Sequence, residues 1–221
     1  YAVNEIKGIE RIRFLTSHPN DMSDKIIDAI NSIDKVCEHI NLPFQAGDDE
    51  ILTVMRRGYN IDSYLRLVEK IRNKVTNVSM STDLIVGFPG ESHQAFKNSL
   101  KVLEEVKFDK VHSACYSTRE GTIASRKLID NVPIKEKKER LSQVDSLQKD
   151  IVTTINAKLL DTTQEVLVEK CENDQWQGRS RNDKLVFFES VNNENLIGKT
   201  VNLSIDKTSP WYLHATEKIK A

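Results

Sequence analysis

From Ile9 to Tyr116 the apolar positions alternate between two spacings, one of about two residues and one of about three and a half. Ile9–Leu15 reads as a strand with Ile12 and Phe14 on one face, ended by the polar turn Thr16-Ser17-His18-Pro19. Asn20 or Asp21 is placed to cap a helix whose apolar positions are Met22, Ile26, Ile30 and Ile33. Val36–Leu42 predicts a second strand, followed by the polar turn Pro43–Asp49. Helical spacing returns around Ile51–Met55 and again at Ile61, Leu65, Val68 and Ile71. Val78–Phe88 predicts the third strand, and Phe96, Leu100, Leu103 and Val106 then place one helix face on the sheet. Lys110–Tyr116 predicts a fourth strand, closed by Ser117–Thr122. Strand and helix alternating at roughly 35-residue intervals imply parallel βαβ units. Four strands are too few for a closed barrel of the usual eight, so the pattern leaves a part-barrel or a small open sheet.

Pro133 marks a change of pattern. From Lys135 a long charged helix carries Leu141, Val144, Leu147, Ile151 and Ile155 on one side. After Asp161 the period falls to two, and Gln164–Glu169, Gln175–Arg181, Leu185–Phe188, Thr200–Asp206 and Tyr212–Ile219 read as short strands separated by Asn-, Asp- and Gly-containing turns. Such a run suits a small all-β barrel of oligonucleotide-binding (OB-like) character. The expected division is 1–155 for the α/β part with its connecting helix and 156–221 for the β-barrel.

Composition narrows the class. The chain has 221 residues, 38% hydrophobic and 29% charged, with a formal net charge of -1. No global basic field draws it to nucleic acid, so any RNA contact has to come from a local patch. No apolar run approaches membrane-spanning length and the first residues lack the build of a signal peptide, which predicts a cytoplasmic protein with no membrane partner. The start at Tyr1 predicts a fragment or a processed chain. Cys37, Cys115 and Cys171 lie far apart in sequence. Their odd number fits a reducing compartment, and none has the short spacing of a zinc or iron–sulfur loop.

Candidate chemistry concentrates at Thr82–Glu91, where Leu84, Ile85 and Val86 form a buried strand that runs through Gly87 and Gly90 into a helix. In parallel α/β folds such turns hold the ligand. Polar or glycine-rich turns follow all four α/β strands, so parallel strands would bring them to one rim. Asp83 inside an apolar strand needs a partner, either a ribose hydroxyl or amine of a ligand or a neighbouring backbone N–H. His18 and His39 are candidate bases, with structural roles as the alternative. Arg56-Arg57 ends a helix, where positive charge is favourable without any anion. In the tail, Gly178-Arg179-Ser180-Arg181-Asn182 joins a basic turn to Trp176 and Phe187, a combination suited to phosphate contact and base stacking. An ordinary solvated turn is the competing reading. The tail itself is not basic: from Ile151 onward nine Lys and Arg face ten Asp and Glu.

The ordered segments Arg13–Pro19, Leu42–Gly47, Met55–Tyr59, Thr82–Glu91 and Tyr116–Thr122 together resemble the radical S-adenosylmethionine methylthiotransferases, over nearly the whole chain. Among subfamilies the resemblance is to the MiaB type, which modifies isopentenylated adenosine in tRNA; the threonylcarbamoyl-adenosine branch is the nearer competitor. The tail resembles the TRAM domain, a small RNA-binding β-barrel. The resemblance implies the carboxyl-terminal part of a longer enzyme: a partial (β/α) barrel of radical-SAM type followed by TRAM. It implies S-adenosylmethionine and two 4Fe-4S clusters as cofactors, and tRNA and a reductant protein as partners. It also implies addition of a methylthio group to adenine C2. The family's cluster-binding cysteines are absent, so no metal ligand is assigned.

By the same resemblance Gln45, Ile85, Gly87 and Glu91 border the cofactor, with Ser17, Asp83 and Arg119 as further rim candidates for cofactor or target base. Arg179, Arg181 and Asn182 match the TRAM turn that would hold tRNA. Thr118 replaces the usual Pro of a Ser-Pro-Arg run, and Ala46 stands where Ser is common, which removes a hydroxyl at position 46. Two other readings follow from the residues: a nucleic-acid-binding module without catalysis, and a metal-free barrel enzyme using His18 or Asp83 as base.

Overall fold

The computed structural model describes residues 1–14, 17–173, 175–189 and 195–217. The first part is built on three parallel strands, β1 (His39–Asn41), β2 (Ser79–Val86) and β3 (Lys110–Cys115), in the order β1-β2-β3. The connections run through helices α1 (Asp24–Ser32), α2 (Asp49–Val54), α3 (Ile61–Lys74) and α4 (His93–Val106). Each of the last three begins on a side chain that accepts backbone N–H groups: Asp48 for α2, Asn60 in a reciprocal box with Ser63 for α3, and Ser92 for α4. The expected caps of α1, Asn20 and Asp21, lie instead in a short 3-10 turn, and Ser23 occupies the cap position. The expected first strand shrinks to an isolated parallel bridge between Ile12 and Val36; Leu15 and Thr16 lie outside the described residues.

Strand β2 is apolar on one face only. Met80, Leu84 and Val86 are buried in the core with Ile71, Phe96 and Leu103. The odd-numbered face carries Ser81, Asp83 and Ile85, continued sideways by Asn41 and His112 through the parallel register. The expectation of a strand covered on both faces therefore holds for one face, and the other is a polar lumen. A single parallel bridge, Gln45 to Leu84, prolongs β1 beyond Pro43.

After β3 come a short helix α5 (Ile123–Lys127) and the 24-residue helix α6 (Ile134–Ala157). Then β4 (Thr163–Glu172), β5 (Gln175–Ser180), β6 (Leu185–Glu189), β7 (Thr200–Thr208) and β8 (Leu213–Glu217) close into a barrel in the order β4-β5-β6-β8-β7. Alternate residues Val166, Val168, Val186, Phe188, Leu203, Ile205 and Leu213 fill its core. Gly178 is required here because a Cβ would fall on the Leu167 carbonyl oxygen. The tail of the expected last strand, from Lys218 on, lies outside the described residues.

Candidate functional site

The carboxyl ends of β1, β2 and β3 form the rim. The turn after β2 opens with Gly87 at φ 71. Its N–H donates to Glu91 Oε2 at 2.6 Å, and the same carboxylate is paired with Arg140 of α6 at 2.5 Å. Both side chains are almost wholly buried, at 1% and 3% exposure. Burial pushes the Glu91 carboxyl above its ordinary value, against the pull of the Gly87 N–H and the Arg140 charge. The carboxylate of Glu91, a residue expected to border the cofactor, points into the protein and fixes the turn. Lys137, one helical turn before Arg140, donates to the Tyr116 carbonyl at 3.1 Å and to both oxygens of Asp130, and its stem fills the space a Gly87 side chain would take. Local sequence carries no sign of this clamp, because its partners are some fifty residues apart in the chain.

Gln45 is nearly buried and held at φ 66. Its N–H donates to the Asp83 carbonyl and its carbonyl accepts from the Ile85 N–H. It therefore stands beside β2 at the level of the rim. Arg119 is exposed in the loop after β3, so Gln45, Gly87 and Arg119 follow three adjacent strands on one rim. Ser17 is half-buried and donates its N–H to the Asn41 carbonyl.

Two cavities open on the face of β2 that carries Asp83 and Ile85, one at the rim and one toward the amino-terminal ends of the strands. One of about 510 Å³ has an apolar wall that includes Ile85, Phe88, Tyr116, Ile123 and Leu128. Phe88 and Tyr116 meet edge-to-face with centroids 5.1 Å apart. Of the expected site residues only Ile85 lines it. The helix that completes its wall, α5, was not predicted, although Thr122 caps it through the Ser125 N–H. The second cavity, about 660 Å³, is polar and takes in His39, Asn41, Ser81, Asp83 and His112. Asp83 accepts from Asn41 Nδ2 at 3.3 Å, so it has a protein partner while still facing the lumen. Burial pushes His39 below its ordinary value, leaving its imidazole neutral at pH 7. His18 has a structural part as well: its Nδ1 accepts the Asn20 N–H and its ring packs against Tyr59.

The basic turn of the barrel lies at the opposite, amino-terminal end of the parallel strands. Arg181 donates to both carboxylate oxygens of Glu38, at 2.8 and 2.6 Å, and to the Val36 carbonyl at 2.8 Å. Asn182 donates to the Asn77 carbonyl at 2.7 Å and the Glu38 carbonyl at 3.3 Å, while its own carbonyl accepts from Ser79 Oγ. Lys184 pairs with Asp109 at 2.7 Å. From the other side Arg11 and Arg13 donate to the carbonyls of Arg179 and Ser180. Arg179 itself bonds the Asp183 carbonyl and sits near Glu169. The polar groups of Arg181 and Asn182, expected to meet RNA, are thus occupied by the other half of the chain.

A parallel strand–helix sheet with a rim cavity, carrying a closed five-strand β-barrel behind a long helix, defines an α/β part-barrel with an OB-like appendage. Comparison with known proteins agrees. Residues 1–103 match the Radical SAM superfamily and residues 158–217 match the TRAM domain. The chain thus carries a Radical SAM region followed by a TRAM domain. Coproporphyrinogen III oxidase (HemN) from Escherichia coli, a radical SAM enzyme, shares the fold with a TM-score of 0.55 at 14% identity, over 90% of this chain and 46% of that one.

Two relatives bear the name tRNA-2-methylthio-N(6)-dimethylallyladenosine synthase. The protein of Dehalococcoides mccartyi strain CBDB1 is 49% identical over 97% of this chain and 51% of its own length. That of Herpetosiphon aurantiacus is 46% identical over 96% of this chain and 48% of its own length. The chain spans about half the length of the curated relatives it matches.

Proposed function

We propose that this chain forms the rim and the RNA-binding barrel of a tRNA methylthiotransferase that places a methylthio group on C2 of an isopentenylated adenosine. The observation that carries the reading is the 510 Å³ cavity, whose apolar wall of Ile85, Phe88 and Tyr116 lies at the carboxyl end of a radical-SAM sheet in a chain that also bears TRAM. That wall fits the flat apolar face of an adenine ring, and the neighbouring peptide groups of the Gly87 turn are held in place by Glu91 and Arg140. S-adenosylmethionine bound there would be held by Ile85, Phe88 and Tyr116 and, given an electron from an outside one-electron reductant, would supply the radical chemistry at the target carbon. Ile85, Phe88 and Tyr116 orient it and exclude water, Gln45 and Arg119 stand on the adjoining rim, and Asp83 offers a carboxylate acceptor within the lumen.

The described residues do not fit an iron–sulfur cluster. Cys37 is buried, Cys115 and Cys171 stand elsewhere, and no group of three metal-binding side chains occurs among the described residues. No step is assigned to a cluster here. The barrel is the proposed tRNA-binding part, with Arg179, whose side chain remains one-third exposed, as its direct contact. Arg181 and Asn182 then serve RNA binding by holding that barrel in place.

The test is anaerobic reconstitution of the full-length protein with iron and sulfide, followed by mass analysis of tRNA carrying isopentenyl- or threonylcarbamoyl-adenosine. Gain of a methylthio group on the isopentenylated base is expected. Gain only on the threonylcarbamoyl base, or on neither, refutes the proposal.

A further inference from the structure

Helix α2 ends in a Schellman motif. The Arg57 N–H donates to the Leu52 carbonyl and the Arg56 N–H to the Thr53 carbonyl, both at 3.0 Å. The motif needs a left-handed residue at its turning point, which is normally glycine. Here Arg56 holds that position at φ 59. A β-carbon is strained there, so the side chain is kept against a conformational cost.

What the side chain reaches explains the cost. Arg56 lines the apolar 510 Å³ cavity together with Arg57 and Lys127, and it also lines an adjoining open cavity of about 700 Å³ together with Arg66. Neither lining contains an aspartate or glutamate. None of these four cations forms an ion pair among the described residues, and Arg57 Nε is buried without a hydrogen-bond partner. By contrast, Arg11, Arg13, Arg140, Arg179 and Arg181 meet carboxylates, and Arg72 and Arg126 bond backbone carbonyls. In a chain of net charge -1, four cations along two adjoining cavities whose linings hold no carboxylate form a local positive strip. A helix dipole accounts for one cation at the end of α2, but not for a second on α3 or for a left-handed arginine.

We propose that Arg56 and Arg66, flanked by Arg57 and Lys127, grip the phosphodiester backbone of the RNA at the rim where its base is presented to the cofactor cavity. The inference rests on the RNA-modifying function proposed above and assigns its phosphate contacts to the rim of the α/β part. Phosphates carry no sequence information, so the strip would fix the register and orientation of the RNA while other groups of the rim read the base. A free anion, or the carboxylate of a small cofactor, would suit the same guanidinium chemistry, and the experiment separates these.

The experiment measures binding of a short isopentenylated RNA stem-loop to the full-length protein across a salt series, with S-adenosylmethionine binding in parallel. Arg56→Gly is the informative variant because glycine suits the left-handed site. It should raise the thermal midpoint while lowering RNA affinity roughly tenfold and reducing the log–log salt slope by about one. Arg66→Gln should do the same to RNA binding, and Arg66→Lys should restore it. Lys149→Gln, on the exposed side of α6, should leave the slope unchanged. An unchanged slope in both Arg56→Gly and Arg66→Gln overturns the proposal. So does an equal fall in Lys149→Gln, or a loss of S-adenosylmethionine binding with RNA binding intact. If the unaltered protein binds and modifies the RNA while the arginine variants behave like it, only this inference fails. If it neither binds nor modifies the RNA, the proposed function fails first.

Discussion

Gly87 shows what one residue contributes to the rim. Two constraints act at once: a φ of 71, where a β-carbon is strained, and the stem of Lys137 packed into the space that carbon would fill. Lys137 cannot swing aside freely, because Asp130 and the Tyr116 carbonyl hold its ammonium. Gly87→Ala should therefore destabilise by about 2–4 kcal/mol. In a Lys137→Ala background the same change should cost only the backbone strain, about 1–2 kcal/mol. Equal costs in the two backgrounds, read from denaturant midpoints, would show that the clash is not real. Glu91 differs in kind, since its cost comes from burying a charge. Glu91→Ala leaves Arg140 short of its buried partner and should cost about 3–5 kcal/mol, whereas Glu91→Leu with Arg140→Met should recover most of that. The sequence pointed to both residues as part of one motif. It could not show that one bends the chain and the other works from behind it, because the second role depends on an arginine far along the chain.

At the scale of elements, α6 does more than connect. Its first turns reach the rim through Lys137 and Arg140. Its middle reaches the core edge, where Gln148 donates to the Phe108 carbonyl. Its end holds the β7–β8 loop, where Asn156 Nδ2 donates to the carbonyls of Ser209 and Pro210 at 2.8 and 3.1 Å. Asn156→Ala should leave those acceptors without their partner, cost about 1–3 kcal/mol, and speed amide exchange in residues 209–212 before the rim. Loss of protection at the rim first would contradict the separation of the helix into two anchoring ends. The helix itself was legible from its apolar stripe, as were the five barrel strands from their period of two. The short helix α5 was not legible, because five residues are too few to show a period. Ile9–Leu15 alternated like a strand yet makes only the Ile12 bridge, because alternation shows which residues share a face and not whether a neighbouring strand supplies partners.

At the scale of the whole molecule, the barrel is held at the amino-terminal ends of the parallel strands, away from the rim where the proposed chemistry lies. The turn of the barrel meets the sheet through hydrogen bonds and ion pairs, so this part of the joint depends on charge. Its central pair is Glu38 with Arg181. Burial raises the Glu38 carboxyl, but the hydrogen bonds from Arg181 and from its own backbone, with the charges of Arg181 and Arg11, outweigh this and hold it below its ordinary value. A carboxylate shifted down stabilises the joined state at any pH above its free value, and that contribution is lost as pH falls through the shifted one. The joint should therefore loosen on acidification, read as a change in the distance between a probe on each part of the full-length protein. Glu38→Gln should already be looser at neutral pH and should show a flatter acid response. Arg181→Glu alone should separate the parts further, since two carboxylates would then face each other, and adding Glu38→Arg should bring them back. If the distance is insensitive to pH in the unaltered protein and to all three variants, the remaining contacts hold the joint and the ion pair is incidental. If acid loosens the unaltered protein and Glu38→Gln equally, another carboxylate governs the joint, with Asp183 and Asp109 next to be tested.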